Sequence, residues 1–87
     1  MRYRVVFKER AMKQLKKMEK KNSDQITSWV AKNLEGCSDP RAKGKALHGN
    51  HKDTWSYRVG NYRILARIED KNLIIMLFEV GDRKRVY

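Results

Sequence analysis

Residues Trp55 to Ile68 read Trp-Ser-Tyr-Arg-Val-Gly-Asn-Tyr-Arg-Ile-Leu-Ala-Arg-Ile, two alternating runs on either side of a Gly-Asn step. In the first run Trp55, Tyr57 and Val59 alternate with Ser56 and Arg58. In the second, Tyr62, Ile64, Ala66 and Ile68 alternate with Arg63, Leu65 and Arg67. Successive strand side chains point to opposite faces, so each run gathers its aromatic and aliphatic residues on one side. Gly60-Asn61 suits a two-residue hairpin turn. With that turn Val59 pairs with Tyr62, and Arg58 lies directly opposite Arg63. One face of the hairpin then needs an apolar cover, and the other carries Ser56, Arg58 and Arg63.

The cover is legible upstream. Tyr3, Val5 and Phe7 alternate with Arg4 and Val6 as a first strand. Ala11, Met12, Leu15 and Met18 recur at helical spacing among lysines, and Lys20-Lys21-Asn22 breaks that pattern. Asn22 or Ser23 then caps a second helix with an apolar stripe of Ile26, Trp29, Val30 and Leu34, and Gly36 stands where a left-handed C-terminal cap is wanted. Residues 37–53 hold the only proline, two of the five glycines and no sustained period, and read as a loop. Leu73 to Phe78 is an almost unbroken apolar run, the pattern of a central strand covered on both faces, and Arg83 to Tyr87 completes a short edge strand. The expected fold is α+β in a single domain, 1–87, with the N-terminal strand joined to a two-helix hairpin that packs on one face of a mostly antiparallel sheet of four or five strands.

The 87 residues carry 21 Lys and Arg against 10 Asp and Glu, a formal net charge of +11. Such an excess on so small a body points to a phosphate-bearing partner rather than to a merely solvated surface. One cysteine, Cys37, excludes an internal disulfide and any cysteine-based zinc cage, and fits a reducing, cytoplasmic setting. His48 and His51 stand three apart with no cysteine or carboxylate completing a ligand set, so neither metal nor cofactor is expected. The N-terminal apolar stretch Val5-Val6-Phe7 is too short for a signal peptide, and no membrane span is present in the sequence.

Like charges facing each other across strands cost a few tenths to about 1 kcal/mol. Arg58 opposite Arg63 is therefore compatible with two readings: a phosphate bound between the guanidinium groups, or two side chains splayed into water. The C-terminal VGDRKRVY adds Arg83, Lys84, Arg85 and Tyr87. Arginines clamp phosphates bidentately, and a tyrosine among cations can stack on a base or accept a proton, although a terminal tyrosine can equally be a frayed end.

Taken in order, KGKALHGN (43–50), WSYRVGNYRILARIED (55–70) and EVGDRKRVY (79–87) resemble the RelE branch of the RelE/ParE toxin superfamily, and the likeness extends over essentially the whole chain. The most specific features are the aromatic-x-x-Arg-Val-Gly-Asn-Tyr-Arg hairpin and the closing Val-Gly-x-Arg-x-x-Val-Tyr. The resemblance implies a microbial-ribonuclease-like fold and a toxin of a type II toxin–antitoxin system that enters the ribosomal A site and cuts messenger RNA there. It implies a cognate antitoxin as partner, a monomeric free toxin and a hetero-oligomer with the antitoxin. Carried over by motif, Arg58, Arg63, Arg83 and Tyr87 face the scissile phosphate. A ribose 2'-hydroxyl attacks the adjacent phosphorus without a metal; Tyr87 is the candidate base, Arg63 and Arg83 neutralise the developing charge, and Arg58 tunes Tyr87 or holds the flanking phosphate. Lys43, Lys45, Lys52, Lys84 and Arg85 grip RNA backbone.

Two positions depart from the family pattern: Ser56 stands where the prototype has a lysine, and Asp82 where many relatives have a histidine. No counterpart is expected of the further C-terminal helix of some members. Two rival readings stand beside the nuclease. One is the ParE-like branch, which poisons DNA gyrase by binding; the other is a basic RNA-binding module without catalysis.

Overall fold

The hairpin forms in the expected register, with Val59 opposite Tyr62, Arg58 opposite Arg63 and Tyr57 opposite Ile64. It sits within a computed structural model that describes residues 2–47 and 53–82. Along the described chain the elements are β1 (Arg4–Phe7), α1 (Glu9–Lys17), α2 (Lys20–Asn33), β2 (Lys45–Ala46), β3 (Trp55–Val59), β4 (Tyr62–Glu69) and β5 (Ile74–Asp82). Their sheet has the order β1-β5-β4-β3-β2. The β2–β3–β4–β5 part is antiparallel, and β1 joins the free edge of β5 in parallel.

Both helices lie on one face. Ala11, Ile26, Val30 and Leu34 meet Tyr57, Val59, Ile64, Ala66, Ile75, Leu77 and Val80, all buried. Each large apolar side chain removed from water there stabilises the fold by about 1.5–3 kcal/mol. Trp29 tilts against Tyr57 with ring centroids 5.7 Å apart. The Tyr57 hydroxyl, fully buried, donates to the Pro40 carbonyl at 2.5 Å. Burial pushes its pKa up, so this tyrosine is a core strut that keeps its proton.

The second helix begins earlier than its sequence suggests. Neither Asn22 nor Ser23 caps it: α2 starts at Lys20, and the Glu19 carbonyl accepts from the Asn22 and Ser23 amides at 3.0 and 3.1 Å. Ser23 instead donates its hydroxyl back to the Lys20 carbonyl at 3.1 Å. The chain turns at Met18, whose extended backbone ends α1 and whose side chain packs on the core. Gly36 does adopt the left-handed conformation expected of it, with φ of +78°, and its amide donates to the Tyr3 carbonyl at 2.8 Å.

Residues 37–53 are not wholly loop. Lys45 and Ala46 form β2, opposite Ser56 and Trp55 of β3. Two residues are too few to show a period. The last apolar run also continues past Phe78 to Asp82, and one of its faces is buried rather than both: Ile75, Leu77 and Val80 are covered, while Ile74, Met76 and Phe78 stay partly exposed. Leu65 lies opposite Glu79 and Ala66 opposite Leu77, which leaves Phe78 as the extra residue of a β-bulge. The bulge shifts the buried set from odd to even positions and hides the strand's alternation. Arg83 to Tyr87, read as a last edge strand, lie outside the described residues.

At the far end of β4, the Tyr3 hydroxyl donates to Asp70 at 2.6 Å, and Arg41 grips both oxygens of the same carboxylate at 2.9 Å. These donors hold the Asp70 carboxyl down to about 2, Arg41 foremost and Tyr3 next. The cluster fastens the start of β1, the loop after α2 and the β4–β5 turn to one another.

Candidate functional site

The turn that sets the arginine pair depends on Gly60, whose φ is +59° while Asn61 keeps a negative φ, the pattern of a type II′ turn. A Cβ at Gly60 would also stand 2.9 Å from Gln25 Nε2 of α2, a flexible side-chain end that can move aside, so it is the positive φ that opposes a larger residue.

Arg58 and Arg63 project from the face away from the helices. Arg58 is exposed and makes no hydrogen bond or ion pair with another described residue. Arg63 is half-buried, and its Nη1 donates to Ser56 Oγ at 2.9 Å. Ser56, 4% exposed, stands diagonally across the hairpin from Arg63, within reach of a long side chain. Its hydroxyl therefore fixes where one of the two guanidinium groups points. In the sequence Ser56 is a departure from the family's lysine; here it orients an arginine.

A groove of about 1120 Å³ opens beside the pair, lined by Ala42 to Leu47 together with Ser56, Arg58 and Arg63. It brings Lys43 and Lys45 to the hairpin arginines. Lys45 lies on β2 opposite Ser56. Lys43 is tied back to α2, its ammonium donating to Asn33 Oδ1 at 3.1 Å. Gly44 lets this wall approach closely: a Cβ there would come within 2.5 Å of the Ser56 carbonyl oxygen and 2.6 Å of Trp55 Nε1. Four cations thus share one concavity with no carboxylate among its described lining residues, a field that concentrates anions.

The strand β5 carries the chain to this place, with Gly81 opposite Arg63 and Asp82 opposite Tyr62. Arg83, Lys84, Arg85, Tyr87 and Lys52 lie outside the described residues, as do His48 and His51. Three other described groups carry shifted pKa values. The Tyr3 hydroxyl and the Arg41 guanidinium are raised by their bonds to Asp70, and the Cys37 thiol by partial burial; all three lie at the opposite end. No helix among the described residues is long and apolar enough to cross a membrane.

A family model for the ParE toxin of type II toxin–antitoxin systems matches residues 5–87. The chain therefore belongs to the RelE/ParE superfamily and is a toxin of the type II toxin–antitoxin class. Within that class it is 34% identical over 89 residues to an Escherichia coli protein described as RelE-like, covering 98% of this chain and 87% of the relative. Among solved structures it is similar to the toxin–antitoxin complex RelBE2 of Mycobacterium tuberculosis, at 28% identity and a TM-score of 0.86, covering 95% of this chain and 100% of the other. The RelE–RelB complex of the archaeon Pyrococcus horikoshii aligns at 26% identity and a TM-score of 0.74, over 99% of this chain and 100% of the other.

Proposed function

We propose that this toxin is a metal-independent endoribonuclease that cuts messenger RNA in the ribosomal A site and so stops translation. The observation that carries this reading is the arginine pair. Register places Arg58 against Arg63, a serine holds one of them, and two lysines join them in a groove whose described lining holds no acid. A phosphate between the guanidinium groups relieves their repulsion and receives bidentate, charge-assisted bonds.

In the reaction, the 2'-oxygen of a ribose forms a bond to the adjacent phosphorus and gives its proton to a base, for which Tyr87 is the candidate. The bond from phosphorus to the 5'-oxygen breaks, and that oxygen takes up a proton. The products are a 2',3'-cyclic phosphate and a free 5'-hydroxyl. Arg63 and Arg83 neutralise the charge that builds on the phosphorane oxygens. Arg58 holds the flanking phosphate or lowers the pKa of Tyr87. Lys43, Lys45, Lys52, Lys84 and Arg85 bind backbone and position the message.

The partner we infer is a cognate antitoxin, since the similar structures from Mycobacterium tuberculosis and Pyrococcus horikoshii are toxin–antitoxin complexes. The site of action follows from the substrate: the cytoplasm, where ribosomes work, with a free toxin that is monomeric. A second reading has its own support, because the matching family model is that of ParE toxins; on that reading the basic face binds gyrase and cuts nothing.

Primer extension on messages under translation with added protein separates the two. Ribosome-dependent, codon-phased breaks are expected, and Tyr87→Phe should weaken them by orders of magnitude. Intact transcripts at toxic doses, with supercoiling by purified gyrase inhibited, would reject the nuclease in favour of the ParE-like activity.

A further inference from the structure

In the proposed cleavage the departing 5'-oxygen takes up a proton, and the described lining of the groove narrows which group gives it. The guanidinium groups of Arg58 and Arg63 keep their protons and act as fixed charge. The Ser56 hydroxyl is nearly buried and committed to Arg63 at 2.9 Å. Lys43 is drawn off to Asn33 Oδ1 on α2. Lys45 remains: it is exposed, and its side chain forms no hydrogen bond or ion pair with another described residue. Directly opposed strand residues share a face with their Cβ atoms about 5 Å apart. Lys45, opposite Ser56, therefore stands on the same face as Arg63, with the covered serine as the floor between them. The sheet order sets β2 on one flank of the arginine pair and β5, after which the chain runs on to Tyr87, on the other. In-line displacement at phosphorus keeps the attacking and leaving oxygens on opposite sides, so base and proton donor belong on opposite flanks.

We propose that Lys45 is the general acid of the cleavage, a role beyond holding RNA backbone that rests on the nuclease reading of the groove. As the 2'-oxygen bonds to phosphorus and its proton passes to the base, the bond from phosphorus to the 5'-oxygen breaks and its electron pair stays on that oxygen. An N–H of the Lys45 ammonium transfers to it. One proton leaves the 2'-oxygen and one arrives at the 5'-oxygen, and the neutral amine regains its proton from water. An ammonium suits this step where a guanidinium does not, because lysine releases a proton far more readily than arginine. Gly44, which leaves no room for a Cβ against the Ser56 carbonyl, lets the strand that carries Lys45 lie this close to the pair.

The test uses ribosomes programmed with either of two messages that differ in a single atom at the cleavage position, one with the natural 5'-oxygen and one with sulfur in its place. A thiolate departs without a proton, so the sulfur message bypasses a general acid. Single-turnover rates are measured with the full chain in excess. Lys45→Met, at an exposed position, should leave the melting temperature unchanged. It should slow the oxygen message about 100-fold or more, the range for a lost general acid, and cut the sulfur message at close to the wild-type rate. Lys45→Arg keeps the charge but holds its protons, so it should fall nearly as far on oxygen and be spared on sulfur. Equal losses on both messages, recovery of the oxygen rate by Lys45→Arg, or an unchanged rate for Lys45→Met overturns the acid while leaving the nuclease standing. A wild-type protein that cuts neither message rejects the nuclease reading, and the acid with it.

Discussion

The two ends of β4 use arginine in opposite ways. At the Glu69 end, Arg41 is locked onto Asp70 by two parallel bonds of 2.9 Å, and Tyr3 adds a third donor to the same carboxylate. At the Tyr62 end, Arg58 and Arg63 face each other, and the groove beside them is lined, among the described residues, by lysines and a serine but no acid. The first arrangement satisfies its charges internally and ties three segments of chain together. The second gathers like charges on one side of the hairpin. An arginine locked onto a carboxylate serves the fold, whereas Arg58, exposed and set opposite a second arginine, is open to a ligand.

Exchanging the two roles is the strongest way to break that contrast. Arg63→Ala should lower RNA cleavage by about 100- to 1000-fold, the range for losing a group that stabilises transition-state charge, with little change in melting temperature. Arg41→Ala should do the reverse, lowering the melting temperature while leaving the cleavage rate per folded molecule near that of wild type. Loss of cleavage by well-folded Arg41→Ala, measured below its melting point, contradicts the division.

Gly44→Ala sharpens the comparison by attacking the groove through its wall. The added Cβ meets a backbone carbonyl and an indole ring that cannot swing away cheaply, so overpacking of about 1–3 kcal/mol is expected in urea unfolding. Because β2 must shift from β3 to relieve the clash, cleavage should fall along with stability. An unchanged midpoint would mean that the wall yields without cost.

The internally paired end responds to acid. Folding lowers the Asp70 carboxyl to about 2 from its usual value near 4, so the deprotonated form is favoured by the fold. Its contribution is complete above about pH 4 and is lost as pH falls from there towards 2. Melting curves of wild type minus those of Asp70→Asn should show a difference that is constant at neutral pH and shrinks through that window. A difference that persists undiminished at pH 2 contradicts the assignment.

Local pattern reveals one end far better than the other. The hairpin is legible because a period of two and a Gly-Asn turn fix the register, and register alone opposes Arg58 to Arg63. The Tyr3–Asp70 bond joins residues 67 positions apart and leaves no local trace. β2 escapes notice because two residues carry no period, yet without it the lysines of the loop have no stated relation to the arginines. The bulge at Phe78 breaks the alternation that would otherwise have extended β5 to Asp82. At the start of α2, polar residues that look like caps lie one turn inside, since the chain reverses at an apolar residue, Met18, rather than at a capping side chain.

Ser56 lies between the two modes and carries the smallest expected effect. It neutralises nothing, yet its hydroxyl accepts from Arg63 at 2.9 Å and is itself nearly buried. Removing it by Ser56→Ala deletes one hydrogen bond to a cation without removing the cation, a net change of about 0.5–1.5 kcal/mol. If that energy serves to aim Arg63, it should appear as a two- to tenfold fall in cleavage rate, with message affinity preserved because the guanidinium is still present. Ser56→Thr keeps the hydroxyl and should retain most of the rate. A loss confined to melting temperature, equal for Ala and Thr, would instead make Ser56 a packing residue.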